Sequence, residues 1–528
     1  MPIFVPQVCV ELDMDEETAV LKAVKMLKLK QSDIKSASIA KKSVDARRKQ
    51  NIKLVYTVCI ELKNLEQEKI IAENNPRVKF KCSEKLKVVY GDRNLEGRPV
   101  VVGFGPAGIL ASYMLAKHGY RPIVIERGED IDSRVKRVEQ FWNECVLNEN
   151  SNVQFGEGGA GTFSDGKLVT RINDPLCELV TSLFINHGAP YDIKIKAKPH
   201  IGTDMLRKII KSIRNEIVSL GAEIRFMEKM ELVNFRGNRI YSVLTDKDEI
   251  RTNAVILAIG HSARDTFEML FRNNIAIESK AFSVGVRIEH LQKNVDRALY
   301  GKFAGHPSLP KGEYAYSYKV NGRCVYTFCM CPGGVVVPAA SEEGGVVTNG
   351  MSKYARDGEN ANAALVVSVS RDDFGSSPLS GMYFQRNIEK LAFEMGSKSY
   401  AAPMTNVGTY LDGLPYKEGK VIPTYRCGTK ISNIENIFPY FVNDMLKIGI
   451  KKFDTKLNGF ASRDSIITAP ETRTSSPIRI LRNSNFMSIS CDGLFPCGEG
   501  AGYAGGIMSA AVDGIKVAMA VMSKFANK

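Results

Sequence analysis

The sequence predicts a protein of mixed α/β and α+β class in three parts. A ferredoxin-like βαββαβ domain covers residues 1–92, a Rossmann-type α/β domain covers 98–281 and 407–528, and a β-rich domain is inserted over 282–406. Three observations carry this reading. The first segment switches between period-two and helical apolar spacing in the order βαββαβ, a strand runs into a glycine turn and a helix from Pro99, and a Tyr-, Val-, Ser- and Gly-rich stretch interrupts the later α/β alternation. A chain of 528 residues has room for about two to four domains and a shielded site.

In order along the chain, strand Ile3–Leu12 leads. Helix Asp15–Leu27 follows, with Ala19, Val20, Ala23, Val24 and Leu27 on one face. Strands Ile34–Ser43 and Lys53–Leu62 come next, the second alternating through KLVYTVCIEL. Helix Leu65–Glu73 and strand Lys85–Tyr90 complete the pattern, which fixes an architecture and leaves function open. GDRNLEGRP, Gly91–Pro99, is polar and rich in turn formers, a natural linker. The inserted region, Phe282–Asn406, holds strand-like RCVYTFCMC and ALVVSVS; from about Ile466 the chain returns to α/β character and ends in a helix. No internal repeat or low-complexity tract is visible.

In VVGFGPAG, the strand Pro99–Val102 runs into Gly103, Gly105 and Gly108, which match GxGxxG. Gly103 permits the tight turn, Gly105 lets a phosphate meet bare backbone, and Gly108 lets helix and strand approach closely. Pro106 and Ala107 open the helix, where a proline costs no hydrogen bond and the positive helix end attracts a pyrophosphate. Glu126, followed by Arg127, ends the second strand, placed to accept hydrogen bonds from both ribose hydroxyls and to repel a 2′-phosphate. This strand, turn, helix and acid together point to a bound dinucleotide rather than a structural turn. FGEGGAGTFSDGKL also contains a formal GxGxxG in Gly156, Gly158 and Gly161, but no apolar strand precedes it; it reads better as a loop whose small residues, including Gly159, let backbone touch a cofactor.

Composition excludes several classes. No charge-free apolar window of membrane-spanning length occurs, and the N-terminus lacks a basic segment followed by a hydrophobic run, so no membrane partner and a cytoplasmic address are expected. Eleven scattered cysteines suit free thiols in a reducing compartment. No CxxC, HExxH or Cys/His quartet appears, and no metal is predicted. The net charge of +14 permits attraction to nucleic acid, acidic lipid or small anions, yet the basic runs, such as Lys41–Lys49, are short and lack an aromatic RNA-binding motif. General basicity is the plainer reading.

GLFPCGEGAGYAGGIMSAAVDGIKVA, Gly493–Ala518, resembles the second FAD motif of glutathione-reductase-type flavoproteins, with glutamate where that motif usually has aspartate. The resemblance implies that Gly498 and Glu499 meet the ribitol or phosphate side and that Gly505, Gly506 and Ile507 face the pyrimidine end of the flavin. TNAVILAIGHSARDTFEML resembles the middle motif, its strand ending at Gly260. With FCMCPGGVVVPAASEEGGVVTNGMS and TRTSSPIRILRN, these stretches closely resemble a family of bacterial FAD-dependent dehydrogenases, often labelled NAD-utilising dehydrogenases, over nearly the whole chain. That implies FAD binding, and NADH or NADPH as a transient electron donor without a nucleotide domain of its own.

Candidates for chemistry come from the loops resembling flavin-facing ones. Lys167 is read as a positive charge near the flavin or an anionic substrate, or as a solvent-exposed lysine; His200 and His261 as proton donors, or as histidines bound to backbone. Arg473 is read as a carboxylate or flavin clamp, or as a salt-bridge partner, and Arg134 as a pyrophosphate contact, or as a helix-surface residue. Cys329 and Cys331 invite a dithiol reading, but a disulfide between near neighbours on one extended strand is strained. The leading expectation is an FAD-dependent oxidoreductase moving a hydride between flavin N5 and a small anionic or unsaturated substrate. An RNA-associated flavoprotein gripping its target through the basic N-terminal module, and a non-catalytic FAD scaffold, are the alternatives. Oligomeric state is not encoded in any visible pattern.

Overall fold

The structure, a computed structural model, describes residues 2–80 and 86–527. Its residues divide into two compact units. The smaller gathers residues 1–87, 190–200 and 293–312. Ile3–Val10, Ile34–Asp45, Lys53–Leu62 and Lys79–Phe80 form one antiparallel sheet in the order second, third, first, fourth. Helices Glu16–Met26 and Leu65–Asn74 connect it, giving the expected βαββαβ order. Lys53–Leu62 alternates buried and half-buried positions throughout, which is why its bounds follow from periodicity alone.

Two features of this unit differ from expectation. The fourth strand is Lys79–Phe80, paired with Ile3 and Phe4, while Leu86–Tyr90 carry no strand; Lys85 lies outside the described residues. A turn with Val78 N donating to Asn75 O returns the chain to the sheet edge at once. The unit also recruits distant segments: Ala197 N donates to Lys42 O, and Tyr300, with Leu299 and Phe303 beside it, joins the apolar core around Val58 and Ile60. Such recruitment depends on contacts far apart in sequence and has no local signal.

The larger unit holds residues 88–189, 201–292 and 313–528. Five parallel strands form its first sheet, ordered Leu494–Pro496, Val255–Leu257, Val100–Val102, Ile123–Glu126 and Glu223–Phe226. Four of them are short, buried and largely apolar runs, as parallel strands covered on both faces must be; the edge strand Glu223–Phe226 is half-buried and carries Glu223 and Arg225. Because they run parallel, Val102, Glu126, Leu257 and Pro496 end on one edge, where ligands of open α/β sheets gather. A seven-stranded sheet is centred on Phe282–Leu291, buried at every position, between Asn360–Val369 and Ile466–Glu471. This sheet continues past residue 406 into Thr429–Ile431 and Ile466–Glu471, so strands from both sides of that position share one hydrogen-bonded ladder.

Helices Pro106–Lys117 and Ile507–Lys524 pack against each other. Ten residues of the first are buried, so it is apolar nearly all round and needs cover on every side. Gly514 makes the contact possible, since a Cβ there would collide with the backbone of Ala107. No helix among the described residues is long and apolar enough to cross a membrane.

Candidate functional site

The turn after Val100–Val102 excludes side chains at Gly103 and Gly108. Gly103 has φ +94°, and a Cβ there would sit 2.5 Å from the carbonyl oxygen of Ala258. Gly108 would drive a Cβ into the carbonyl of Gly103, so helix and strand touch only because it is glycine. Pro106 occupies the first helical turn behind Gly105. The second glycine-rich loop lies on the first: a Cβ on Gly159 would be 3.0 Å from the Cα of Gly105, and Gly158 N donates to Phe104 O at 2.8 Å. A Cβ on Gly161 would be 2.9 Å from Cγ1 of Ile507, so this loop also meets the last helix.

Glu126 joins these pieces. Its carboxylate accepts from Phe104 N at 2.8 Å, Gly128 N at 2.9 Å and Gly156 N at 3.0 Å. That occupies three of about four lone-pair sites and leaves capacity for one further donor, not a free carboxylate for two hydroxyls. Arg127 stands next to it, 4.3 Å from the Phe155 ring and paired with both oxygens of Asp265 at 3.1 and 2.8 Å. Burial pushes the Asp265 carboxyl up, but Arg127 and Lys229 outweigh it and hold it at about 2.

These turns open on one cavity of about 330 Å³, a size typical of small-molecule and cofactor sites. Of the residues predicted to hold cofactor, Gly103, Gly105, Pro106, Ala107, Glu126, Arg127, Gly159, Gly161 and Gly260 line it from one side. Glu499, Gly505, Gly506 and Ile507 line it from the C-terminal segment. Gly505 and Gly506 face open space, since a Cβ on either would meet nothing within 4 Å. The backbone donors at two helix starts, Pro106 and Ile507, therefore sit in one wall, and both helix ends favour negative charge. Gly108, Gly158 and Gly498 stand behind the wall as spacers; Gly498 would bring a Cβ to 2.7 Å from that of Ala107.

Arg134 does not reach the cavity. Fully buried, it donates to the carbonyls of Asn152 (2.9 Å), Val153 (3.0 Å), Gly156 (3.2 Å) and Glu157 (2.6 Å). Carbonyls take four of its five N–H donors, so it shapes the 152–157 loop from behind the cavity lining. His200 is also absent from the lining; it ends the 190–200 segment that belongs to the N-terminal unit.

Lys167, His261 and Arg473 do line the cavity, in altered roles. Lys167 is bound rather than free, with Asp165 and the carbonyl of Met330 as partners. Asp165 also accepts from Arg356 Nε at 3.0 Å. Burial, with Arg473 and Arg264 nearby, lowers His261 to about 3, so it is a neutral imidazole near pH 7 and carries no surplus proton to donate. Its Nδ1 lies 2.9 Å from Ser262 Oγ. Arg473 meets its carboxylate inside the protein: Nε and Nη2 bind Glu389 at 2.8 and 3.0 Å. Glu389 takes a second guanidinium as well, Arg264 Nη1 and Nη2 both at 2.8 Å. Burial opposes its charge, yet the two arginines hold it at about 2. Glu499 lacks such partners; burial, opposed by Lys280, raises it to about 7.

Sequence reasoning missed Gln154, Glu228, Asn349 and Glu471, which also line the cavity. None belongs to a spaced motif, and only Asn349 lies within one of the stretches that carry the family resemblance. Phe328 and Cys329 enter from the seven-stranded sheet.

Residues 281–474 match the family profile for the FAD-dependent protein, C-terminal domain-like, and residues 5–61 match a domain of unknown function (DUF8436). A protein of Clostridium beijerinckii, described as uncharacterized, is 48% identical over 525 residues, which is 98% of each chain. Among solved structures, glycine oxidase from Bacillus cereus is 10% identical with a TM-score of 0.35, over 80% of this chain and 94% of that one. L-amino acid deaminase from Proteus vulgaris is 11% identical with a TM-score of 0.33, over 84% and 96%. CtdE in complex with FAD is 12% identical with a TM-score of 0.32, over 81% and 86%.

Proposed function

The chain belongs to one family with the Clostridium beijerinckii protein, and we propose that it is an FAD-dependent oxidoreductase that keeps its cofactor in the cavity described above. One observation carries this: two helix starts about four hundred residues apart, Pro106 and Ile507, share a cavity wall whose glycines leave backbone bare. The match of residues 281–474 to an FAD-dependent protein domain supports it independently. In this reading the parallel sheet and its glycine turn are Rossmann-type, and the N-terminal unit is ferredoxin-like.

The groups present fit FAD. The backbone N–H groups of Gly105 and Ala107, on either side of Pro106, which has none, suit a pyrophosphate, and the spare acceptor capacity of Glu126 suits a ribose hydroxyl. Gly505 and Gly506 leave room for a flat ring system over the second helix start. Bound FAD supplies two-electron hydride chemistry. The protein's own contributions are orientation, exclusion of water and charge. Arg473, tied to Glu389, gives this wall a fixed positive group, and neutral His261 can donate one N–H without charging. A small anionic or unsaturated substrate suits such a wall, with NADH or NADPH as a transient donor.

Titration of FAD into the flavin-free protein tests this. Saturable binding with a perturbed visible flavin spectrum is expected. G105V should abolish it while the far-ultraviolet spectrum stays native, because a Cβ at Gly105 meets only an ordinary contact at 3.6 Å from Gly159. A native fold that takes up no FAD overturns the proposal.

A further inference from the structure

Cys329 and Cys331 lie on strand Arg323–Cys331, but they do not occupy regular strand positions. The ladder with Asn360–Val369 pairs Phe328 with Ala364 and Cys331 with Asn362, so a bulge intervenes. Cys329 itself has φ +43°, a left-handed conformation that a side-chain-bearing residue adopts at a cost. The strain expected for a link along an extended strand therefore does not apply here. The bulge puts Cys329 on the cavity wall, while Cys331 is fully buried behind it.

Cations surround the pair. Arg287, fully buried, donates from Nη1 to the carbonyl of Cys329 at 2.9 Å, and its other donors go to Glu471, Asn349 and Asn362. Lys167 reaches the carbonyl of Met330, between the two cysteines. The thiol of Cys331 donates to the carbonyl of Cys329 at 3.4 Å. The neighbouring Cys331 thiol, aided by Arg287 and Lys167 against burial and Asp165, brings the Cys329 thiol well below its ordinary range. Cys331 moves the opposite way and keeps its proton. Glu471 is the other ionisable group facing Cys329, and its carboxyl is itself raised by burial.

We propose that Cys329 and Cys331 form a thiolate–thiol exchange site in the wall of the cavity, and that its ligand class is small disulfides. The Cys329 thiolate attacks one sulfur of a disulfide RSSR; the S–S bond breaks and RS⁻ leaves. Cys331 gives its proton to the departing thiolate, and its sulfur then attacks Cys329. The Cys329–Cys331 bond forms and a second RS⁻ departs. Two protein thiols, one already ionised, are oxidised, and RSSR is reduced to RSH and RS⁻.

This goes beyond the flavin reading and needs no bound cofactor, so the two are tested apart. The full-length protein, with and without added FAD, is treated with a symmetric aromatic disulfide, and the peptide containing both cysteines is weighed. Wild type should show both sulfurs joined to each other with two thiols released at this site. C331S should stop at a mixed disulfide on Cys329, and C329S should show neither. Because the two serine variants must differ from each other, a shared folding defect cannot mimic the result. Alkylation gives a second readout. Near pH 6 Cys329 should react about tenfold faster than an ordinary thiol, the gain in thiolate exceeding the loss of intrinsic nucleophilicity. Equal reactivity of Cys329 and the remaining cysteines, or a wild type that keeps the mixed disulfide, overturns the proposal. If FAD fails to bind while Cys329 exchanges as described, only the flavin reading falls.

Discussion

The cavity has two walls built on opposite strategies. The glycine wall, at the edge of the parallel sheet, works by absence: Gly105, Gly159, Gly505 and Gly506 withhold side chains so that bare backbone lines the cavity. The opposite wall is backed by charge, with Arg287 on Glu471 in the seven-stranded sheet and Arg473, just past the Glu471 strand, sharing Glu389 with Arg264 from two neighbouring helices, all nearly dry. A glycine wall fails when something is added. An ionic wall fails when something is taken away, because the surviving charge is left buried.

The largest effect should follow removal of Glu389. E389A strands Arg473 and leaves Arg264 with Glu342 and Gln385 alone, and should cost about 3–5 kcal/mol in denaturant unfolding, with E389Q intermediate. A wild-type-like midpoint for E389A would show that the network is slack. On the other wall, G108V should cost about 3 kcal/mol, the upper end for an overpacked contact, since the added Cβ collides with the Gly103 carbonyl. If G108V unfolds like wild type, the close helix–strand contact is not as tight as it stands here.

Acidity separates two carboxylates of the cavity region. Glu389 is held at about 2, below the ordinary value of about 4.3, so its stabilisation is complete above that ordinary value and fades as pH falls toward 2. Glu499 is raised to about 7, so its folded form binds the proton more tightly, and stability of the flavin-free protein should decline as pH rises through about 5 to 7. E499Q should flatten that decline and raise the melting temperature above neutral pH; an unchanged pH profile would remove Glu499 from this account. The smallest stability change belongs to G506A, within about 0.5 kcal/mol as for an exposed surface change, because the new methyl meets only open space. Its FAD affinity should nonetheless fall at least about tenfold, some 1.4 kcal/mol. Equal binding by G506A would place the flavin elsewhere.

The same contrast governs what the sequence made legible. The glycine wall is written in contiguous signals: Gly103 to Gly108 after an apolar strand, Glu126 at the next strand's end, and Gly505 to Ile507 opening the last helix. The charged wall is not. Arg473 and Glu389 lie 84 residues apart, and Arg287 and Glu471 lie 184 apart, and no spacing rule pairs them. Arg134 illustrates the limit most sharply, because its partners are carbonyls, which every residue owns. His200 was drawn to the site by its residue type, while the chain around it follows the N-terminal unit. The bulge at Cys329 is set by how its strand registers with Asn360–Val369, a tertiary choice hidden in an otherwise regular strand pattern.

Helix Pro106–Lys117, apolar on nearly every side, receives its cover from Ile507–Lys524 only after the nearly four hundred intervening residues have been made. At about 5–20 residues per second, that is a wait of roughly 20–80 seconds on the ribosome. During synthesis Gly202–Ser219 can cover one part of this greasy rod early, but the face that meets Ile507–Lys524 stays open for that wait.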